Sequence, residues 1–203
     1  TDFEITGCAL KAVSAEKIRV TATVRNTGNV SGKEVVQVYA SLPGGILEKE
    51  AHRLAAYAKT NELKPGEAQE VTMEVKMDGL TSYDEKRAAW ILESGFYGIW
   101  VGNSLASAKL CGGIKLDQEV IRRQVRNLFP LKQELEEISQ EASKTAKRAA
   151  AAAQQAKEEE LTVLNIRGAD IATETVEYKK NADLYEKEAM DFVNTLSEED
   201  LID

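Results

Sequence analysis

Lys17-Ile-Arg-Val-Thr-Ala-Thr-Val-Arg-Asn-Thr-Gly-Asn-Val-Ser-Gly-Lys-Glu-Val-Val-Gln-Val-Tyr-Ala-Ser41 decides the fold. Ile18, Val20, Ala22 and Val24 alternate with Arg19, Thr21, Thr23 and Arg25, the period of two of a strand with one buried face. Asn26 to Gly32 is a turn rich in residues that accept positive φ. Glu34 to Ser41 then opens a second β-rich run, closed by Pro43-Gly44-Gly45.

Working outward, the same grammar fills residues 3–116. Arg53 to Thr60 reads as a strand with Leu54, Ala56 and Ala58 on one side. In Leu63-Lys-Pro-Gly-Glu67, Pro65 sets φ for the second turn position and Gly66 allows positive φ at the third. Val71 to Val75 alternates again. Asp78 to Asp84 is irregular, and Trp90-Ile-Leu-Glu93 and Tyr97 to Val101 flank a turn at Gly95. The last strand runs from Ala106 through Cys111 to Leu116. About seven strands with turns at short intervals, and no helix between them, indicate a mainly β fold, an immunoglobulin or fibronectin type III-like β-sandwich. A helical and extended C-terminal segment follows it.

Charge and glycine divide the chain at the same point. Residues 1–116 carry 14 Lys+Arg against 14 Asp+Glu, whereas 117–203 carry 12 against 20 and account for the whole net charge of −8. Twelve of the 13 glycines precede Asp117. A neutral front and an acidic back argue against nucleic acid, which requires clustered positive charge. No apolar run is long enough to span a membrane.

Val24 to Tyr39, quoted above, resembles the opening of the fibronectin type III-like module of glycoside hydrolase family 3, the β-glucosidase and β-xylosidase family. Leu54-Ala-Ala-Tyr-Ala-Lys-Thr60, Leu63 to Glu67, and Trp90-Ile-Leu-Glu-Ser-Gly-Phe-Tyr-Gly-Ile-Trp-Val-Gly102 resemble three further blocks of that module, in the same order. The resemblance covers about residues 3–116. It implies a parent enzyme that hydrolyses terminal β-linked sugars with retention, and partners in that parent's own catalytic barrel and α/β domains.

In the back half, Arg126 to Ala156 has helix composition, with Pro130 suited to a first helical position. Leu128, Leu131, Leu135, Ile138, Ala142, Thr145, Ala149, Ala152 and Ala156 recur in alternating steps of three and four, a coiled-coil-like stripe. The stripe fits a helix lying along another domain; a dimeric coiled coil through residues 128–156, giving self-association, or a solvated alanine-rich helix are the alternatives. Glu158 to Glu160 opposes the helix dipole, so fraying is expected there. Leu161 to Arg167 alternates like a strand, and Thr173 to Tyr178 reads as extended. Asn181 to Leu196 is a second amphipathic helix with Leu184, Ala189, Phe192, Val193 and Leu196 as its apolar residues. Ser197 to Asp200 reads as a third helix start in which the chain stops at Asp203, so truncation is expected. The organisation expected is therefore a sandwich over 1–116, an alanine-rich helix over 117–160 and a lead-in over 161–203. That lead-in resembles the approach to the barrel in family members of inverted domain order.

Chemistry is sparse. Retaining glycoside hydrolysis needs two carboxyl groups about 5–5.5 Å apart. The resemblance implies a nucleophilic Asp in a Ser-Asp-Trp-like barrel motif and an acid/base Glu in the α/β domain. Neither Trp90 nor Trp100 follows an Asp, so neither role carries over. Tyr83-Asp84-Glu85 is read as a solvated loop and His52 as a solvent-facing strand residue. Trp90, Phe96, Tyr97 and Trp100 are read as core aromatics, with a sugar-stacking platform as the alternative. Gly44-Gly45 and Gly112-Gly113 are read as turns or bulges rather than phosphate loops. Asn29-Val-Ser31 is a glycosylation sequon. Cys8 and Cys111 fall on the first and last strands and are expected to be free thiols, with a bridge as the alternative; the cytoplasm is the compartment expected on balance. No catalytic, cofactor-binding or metal-ligating residue is assigned and no cofactor is expected. A free-standing interaction module with a docking helix is the competing reading.

Overall fold

The computed structural model describes residues 1–129, 142–177 and 182–196. The strands form three sheets. β1 (Phe3–Ser14), β2 (Lys17–Asn26) and β5 (Ala68–Lys76) make a three-stranded sheet in the order β1-β2-β5. Facing it is a five-stranded sheet, β11-β9-β8-β3-β4, built from β3 (Val35–Ser41), β4 (Arg53–Lys59), β8 (Gly95–Gly102), β9 (Lys109–Leu116) and β11 (Thr162–Ile166). A smaller sheet, β12-β10-β7-β6, comprises β6 (Ser82–Asp84), β7 (Ala89–Leu92), β10 (Val120–Gln124) and β12 (Glu174–Thr175). The fold is the β-sandwich that the sequence indicates.

The alternation of β2 becomes the core directly. Ile18, Val20, Ala22 and Val24 are buried and pack with Val71, Met73 and Val75 of β5 and with Val36, Val38, Ile99 and Ile114 of the opposite sheet. Each fully buried aliphatic side chain contributes about 1.5–3 kcal/mol of transfer free energy. The β2–β3 turn is organised differently from expectation. None of its residues takes a positive φ. Instead buried Asn26 donates from Nδ2 to the carbonyls of Val30 (2.9 Å) and Leu63 (2.8 Å) and accepts the Gly28 N–H (3.0 Å). The 64–67 turn follows its chemistry: Gly66 has φ +79°, and the Glu67 N–H bonds the Lys64 carbonyl at 2.9 Å.

In β4 a bulge intervenes. Val38 pairs with Ala56 but Tyr39 with Leu54, so Ala55 is the extra residue. Ala55, Ala56 and Ala58 pack on the core while Leu54 is turned out, 52% exposed. A bulge shifts the side-chain period by one, which a strict alternation cannot anticipate.

The tail returns to the sandwich. β11 pairs parallel to β9, Thr162 opposite Gly112 through Ile166 opposite Leu116, and β12 pairs parallel to β10. Parallel neighbours require a long crossover, usually a helix. Here α1 (Ala142–Glu158) lies between β9 and β11 in sequence and rests on β8 and β9. Thr145, Ala149, Ala152 and Ala156, the stripe residues within α1 whose burial is described, are all buried. Ala152 and Ala156 pack with Leu110, Phe96, Trp100 and Leu161. Small residues permit a close approach: a methyl added at Gly44 would overlap the backbone of Ala146, and one at Gly98 would sit 3.3 Å from the Ala152 Cβ. The alanine run is thus the shape of the seam. Arg148 adds a hydrogen bond to the Lys49 carbonyl at 3.4 Å.

Two expectations for this region are corrected. Arg126 to Phe129 is not helical; Asn127 Oδ1 accepts the Phe129 N–H at 3.1 Å in a local turn, and Leu128 is 53% exposed. A residue preceding proline, as Phe129 does, is disfavoured in helical conformation. The 130–141 part of the stripe lies outside the described residues, as does Ser197 to Asp203. The helix end is closed rather than frayed. The Leu161 N–H bonds the Ala156 carbonyl (2.8 Å), the Glu160 N–H that of Lys157 (3.3 Å), and Glu160 takes φ +53°. That is a Schellman motif with Leu161 packed back on Ala156.

Finally, Cys8 and Cys111 are joined in a disulfide, their Cα atoms 5.9 Å apart. The expected free thiols are corrected because β1 packs beside β9 across the two sheets. The cytoplasmic expectation loses its footing with them.

Three outcomes are expected. Thiol titration of the native chain finds no reactive cysteine, and Cys111→Ala lowers stability to denaturant by about 2–4 kcal/mol. Glu160→Gly, which relieves a left-handed non-glycine residue and removes an acid from the negative helix end, raises stability by about 1 kcal/mol in the same assay.

Candidate functional site

Of the residues the sequence singles out, the four aromatics divide three ways. Tyr97 is core, its phenol donating to the Glu93 carbonyl at 2.8 Å, and burial pushes its ionisation up. Phe96 and Trp100 occupy the other face of β8 beneath α1, and the Trp100 indole N–H donates to Ser41 Oγ at 3.0 Å. Trp90, expected in the core, is instead 40% exposed on β7, because Ala89, Ile91 and Leu92 take the buried positions.

Asp84 is likewise not a solvated loop residue. It is buried at the start of the β6–β7 turn, where Oδ1 accepts the N–H groups of Lys86 (3.0 Å) and Arg87 (3.1 Å). Its Oδ2 receives the Arg87 guanidinium at 2.5 Å, and Arg87 also reaches Glu119 at 2.6 Å. The Arg87 hydrogen bond holds the Asp84 carboxyl below its ordinary value, against the burial that would raise it. This carboxylate is committed to shaping a turn.

One group had no sequence signal. Lys49 and Glu93, 44 residues apart, form a buried ion pair. The Lys49 ammonium also donates to the Pro43 carbonyl at 3.0 Å, and Glu93 accepts the Ile46 N–H at 2.5 Å. The pair pins the 43–49 loop to the start of the β7–β8 turn. Removing one partner of such a pair typically costs about 3–5 kcal/mol, since the other charge is left unpaired. A period-two reading gives no reason to join two charged residues so far apart.

His52, the single histidine, is half-buried rather than solvent-facing and stands edge-on to Trp100, ring centroids 5.1 Å apart. Burial, then the nearby Arg148 charge, lowers its pKa below 6.5, so the folded state favours the neutral ring. The associated stability is complete above pH 6.5 and is lost as pH falls through the lower folded value. Thermal melts from pH 7.5 downward are therefore expected to drop more steeply below pH 6.5 in the native chain than in His52→Gln.

One open surface lies around the 3₁₀ turn Met77–Leu80. On one side Leu54 and Tyr57 of β4 are exposed; on the other stand Trp90 and Tyr83, with ring centroids 5.3 Å apart and planes tilted by 48°. Arg122 and Arg123 of β10 both reach Asp78 within this face. Among the described residues no group of three or more His, Cys, Asp and Glu is placed to hold a metal ion. The α2 helix (Ala182–Val193) keeps Met190, Phe192 and Val193 exposed.

Residues 34–105 match the fibronectin type III-like domain family. The chain is 43% identical over 118 residues to β-glucosidase A of Butyrivibrio fibrisolvens, covering 56% of this chain and 14% of that protein. It is 37% identical over 137 residues to a β-glucosidase of Ruminococcus albus, covering 64% and 14%. Among solved structures, β-glucosidase 3B of Thermotoga neapolitana superposes on 59% of the chain with 36% identity and a TM-score of 0.54, using 16% of its own length. The chain spans only a small part of the enzymes it matches. Residues 34–105 thus carry a fibronectin type III-like domain, in a chain similar to one part of these β-glucosidases.

Proposed function

We propose that the chain is a non-catalytic structural module of a family 3 glycoside hydrolase, whose sandwich buttresses the catalytic domains of a parent that removes terminal β-linked glucose with retention. The observation that carries this reading is the match of the sandwich to 14% of much longer β-glucosidases. The chain's own carboxylates support it: Asp84 and Glu93 are engaged in turn and loop anchoring, not paired across a cleft.

The tail fits the same role. The Ruminococcus albus match extends over 137 residues, more than the 116 that precede the acidic segment, so part of the tail has a counterpart in an enzyme of this kind. On this reading residues 161–203 lead into a barrel that follows the sandwich, the inverted domain order. The apolar side chains of α2, with Phe192 64% exposed, await the surface of that barrel. Apolar area of this kind marks interdomain contact. Coiled-coil self-association draws no support from α1, whose described stripe is covered by the chain's own β8 and β9. The disulfide favours an oxidising compartment for the parent.

The purified chain is expected to show no turnover of an aryl β-glucoside. In the source cell, the polypeptide carrying these residues is expected to be several-fold heavier than 22.3 kDa, with β-glucosidase activity co-purifying. Hydrolysis by the chain alone, or an unproteolysed native mass of 22.3 kDa, would overturn the reading.

A further inference from the structure

The small sheet carries one register row that the structural role leaves unused. Tyr83 of β6 lies opposite Trp90 of β7, Trp90 opposite Arg123 of β10, and Arg123 opposite Glu174 of β12. Directly opposed residues share a face of a sheet. The row therefore reads, in order, phenol, indole, guanidinium and carboxylate. Beside it runs an open groove of about 590 Å³ lined by Arg53, Thr81, Ser82, Tyr83, Trp90 and Arg123, among others. That volume lies in the range of small-ligand sites, about 300–1,000 Å³.

Two features specify the chemistry of an occupant. First, both arginines are already held and neutralised. Arg123 pairs with Glu174 at 3.0 Å and with Asp78 at 3.9 Å. Arg53 pairs with Glu50 and donates to the Thr81 carbonyl at 2.6 Å and to Ser82 Oγ at 3.3 Å. A wall with no net positive charge favours a neutral, hydrogen-bonding ligand over a phosphate or an acidic peptide. Side chains held in advance also lose less entropy on binding. A guanidinium has five donors, so donors remain for a ligand after these bonds are made. Second, the indole, 40% exposed, and the phenol tilted against it both line the groove. A pyranose with all substituents equatorial has two faces of axial C–H bonds and a rim of hydroxyls. Joined β(1→4), such rings form a flat ribbon, apolar on its faces and polar along its edges. That ribbon matches a row in which aromatic faces give way to paired charges.

We propose that the Tyr83–Trp90–Arg123 face is a carbohydrate-binding platform for neutral β-linked oligosaccharides of the glucose type. A pyranose face stacks on Trp90, Tyr83 flanks it, and rim hydroxyls bond Arg123, Ser82 and the carboxylates that hold the arginines. The platform is independent of whether the parent hydrolyses glucosides, since it uses no catalytic residue.

Calorimetric titration of the 203-residue chain with cellotetraose tests it. Saturable binding is expected, weakened about tenfold or more by Trp90→Ala. Trp90→Phe, which keeps a ring, is expected to retain an intermediate affinity, and Trp100→Phe, beneath α1, to leave it unchanged. Circular dichroism checks the fold of each variant; should Trp90→Ala fail to fold, Trp90→Phe and Tyr83→Ala carry the comparison. Absence of saturable binding by the native chain, or binding indifferent to substitution at Trp90 and Tyr83, would overturn the proposal. A Trp90 substitution that instead releases the chain from its parent's catalytic domains, with no cellotetraose binding by the native chain, would also overturn it and assign the face to protein docking.

Discussion

Strand β8 has to be covered on both faces, and much of the architecture follows from that. Tyr97, Ile99 and Val101 point into the core between the sheets, while Phe96 and Trp100 point the other way. A sandwich alone covers one face of each sheet and leaves the other wet. Here the outer face of β8 is closed by α1, and the seam is narrow because glycine and alanine meet across it at Gly44, Gly98, Ala146 and Ala152. Arg148, His52 and the buried Lys49–Glu93 pair lie along the same seam, tying the 43–52 loop to helix and sheet together.

From that cover comes the order of the tail. A helix resting on β8 and β9 delivers the chain back alongside β9 in the same direction, so β11 joins as a parallel strand. The crossover from β9 to β11 therefore runs by way of β10 in the small sheet and then α1, grafting a parallel strand onto an antiparallel sandwich. The Schellman end of α1 sets the exit, since Leu161 packs on Ala156 immediately before β11 begins. The tail segments 142–177 are thus integral to the sheets and are not a loosely attached linker.

How much of this was legible varies with the reach of the interaction. β2 could be read residue by residue, because a half-buried strand writes its two faces into alternate positions. The stripe Thr145, Ala149, Ala152 and Ala156 was equally plain, because a helix with one buried side has a period of its own. β4 misled at Leu54 because one bulged residue resets the alternation, and β7 misled at Trp90 because four residues are too few to declare which face is buried. β10 was missed because Val120-Ile-Arg-Arg-Gln124 buries only its first residue fully and shows little apolar rhythm. Lys49 with Glu93, and Cys8 with Cys111, depend on which strands lie side by side across sheets. No local pattern records that. The family resemblance identified the module, but it carried no information on where Trp90 faces.

The bridge between Cys8 and Cys111 closes a covalent ring of most of the sandwich, its ends 103 residues apart. Every loop between β1 and β9 lies inside the ring, including the exposed stretches around Ile46 and Leu105. A protease that cuts one of these loops cannot detach either piece, because both remain joined through the two sulfurs. The module can thus be nicked at its surface and still hold its strands together, a form of tolerance to cleavage that rests on topology instead of on burial.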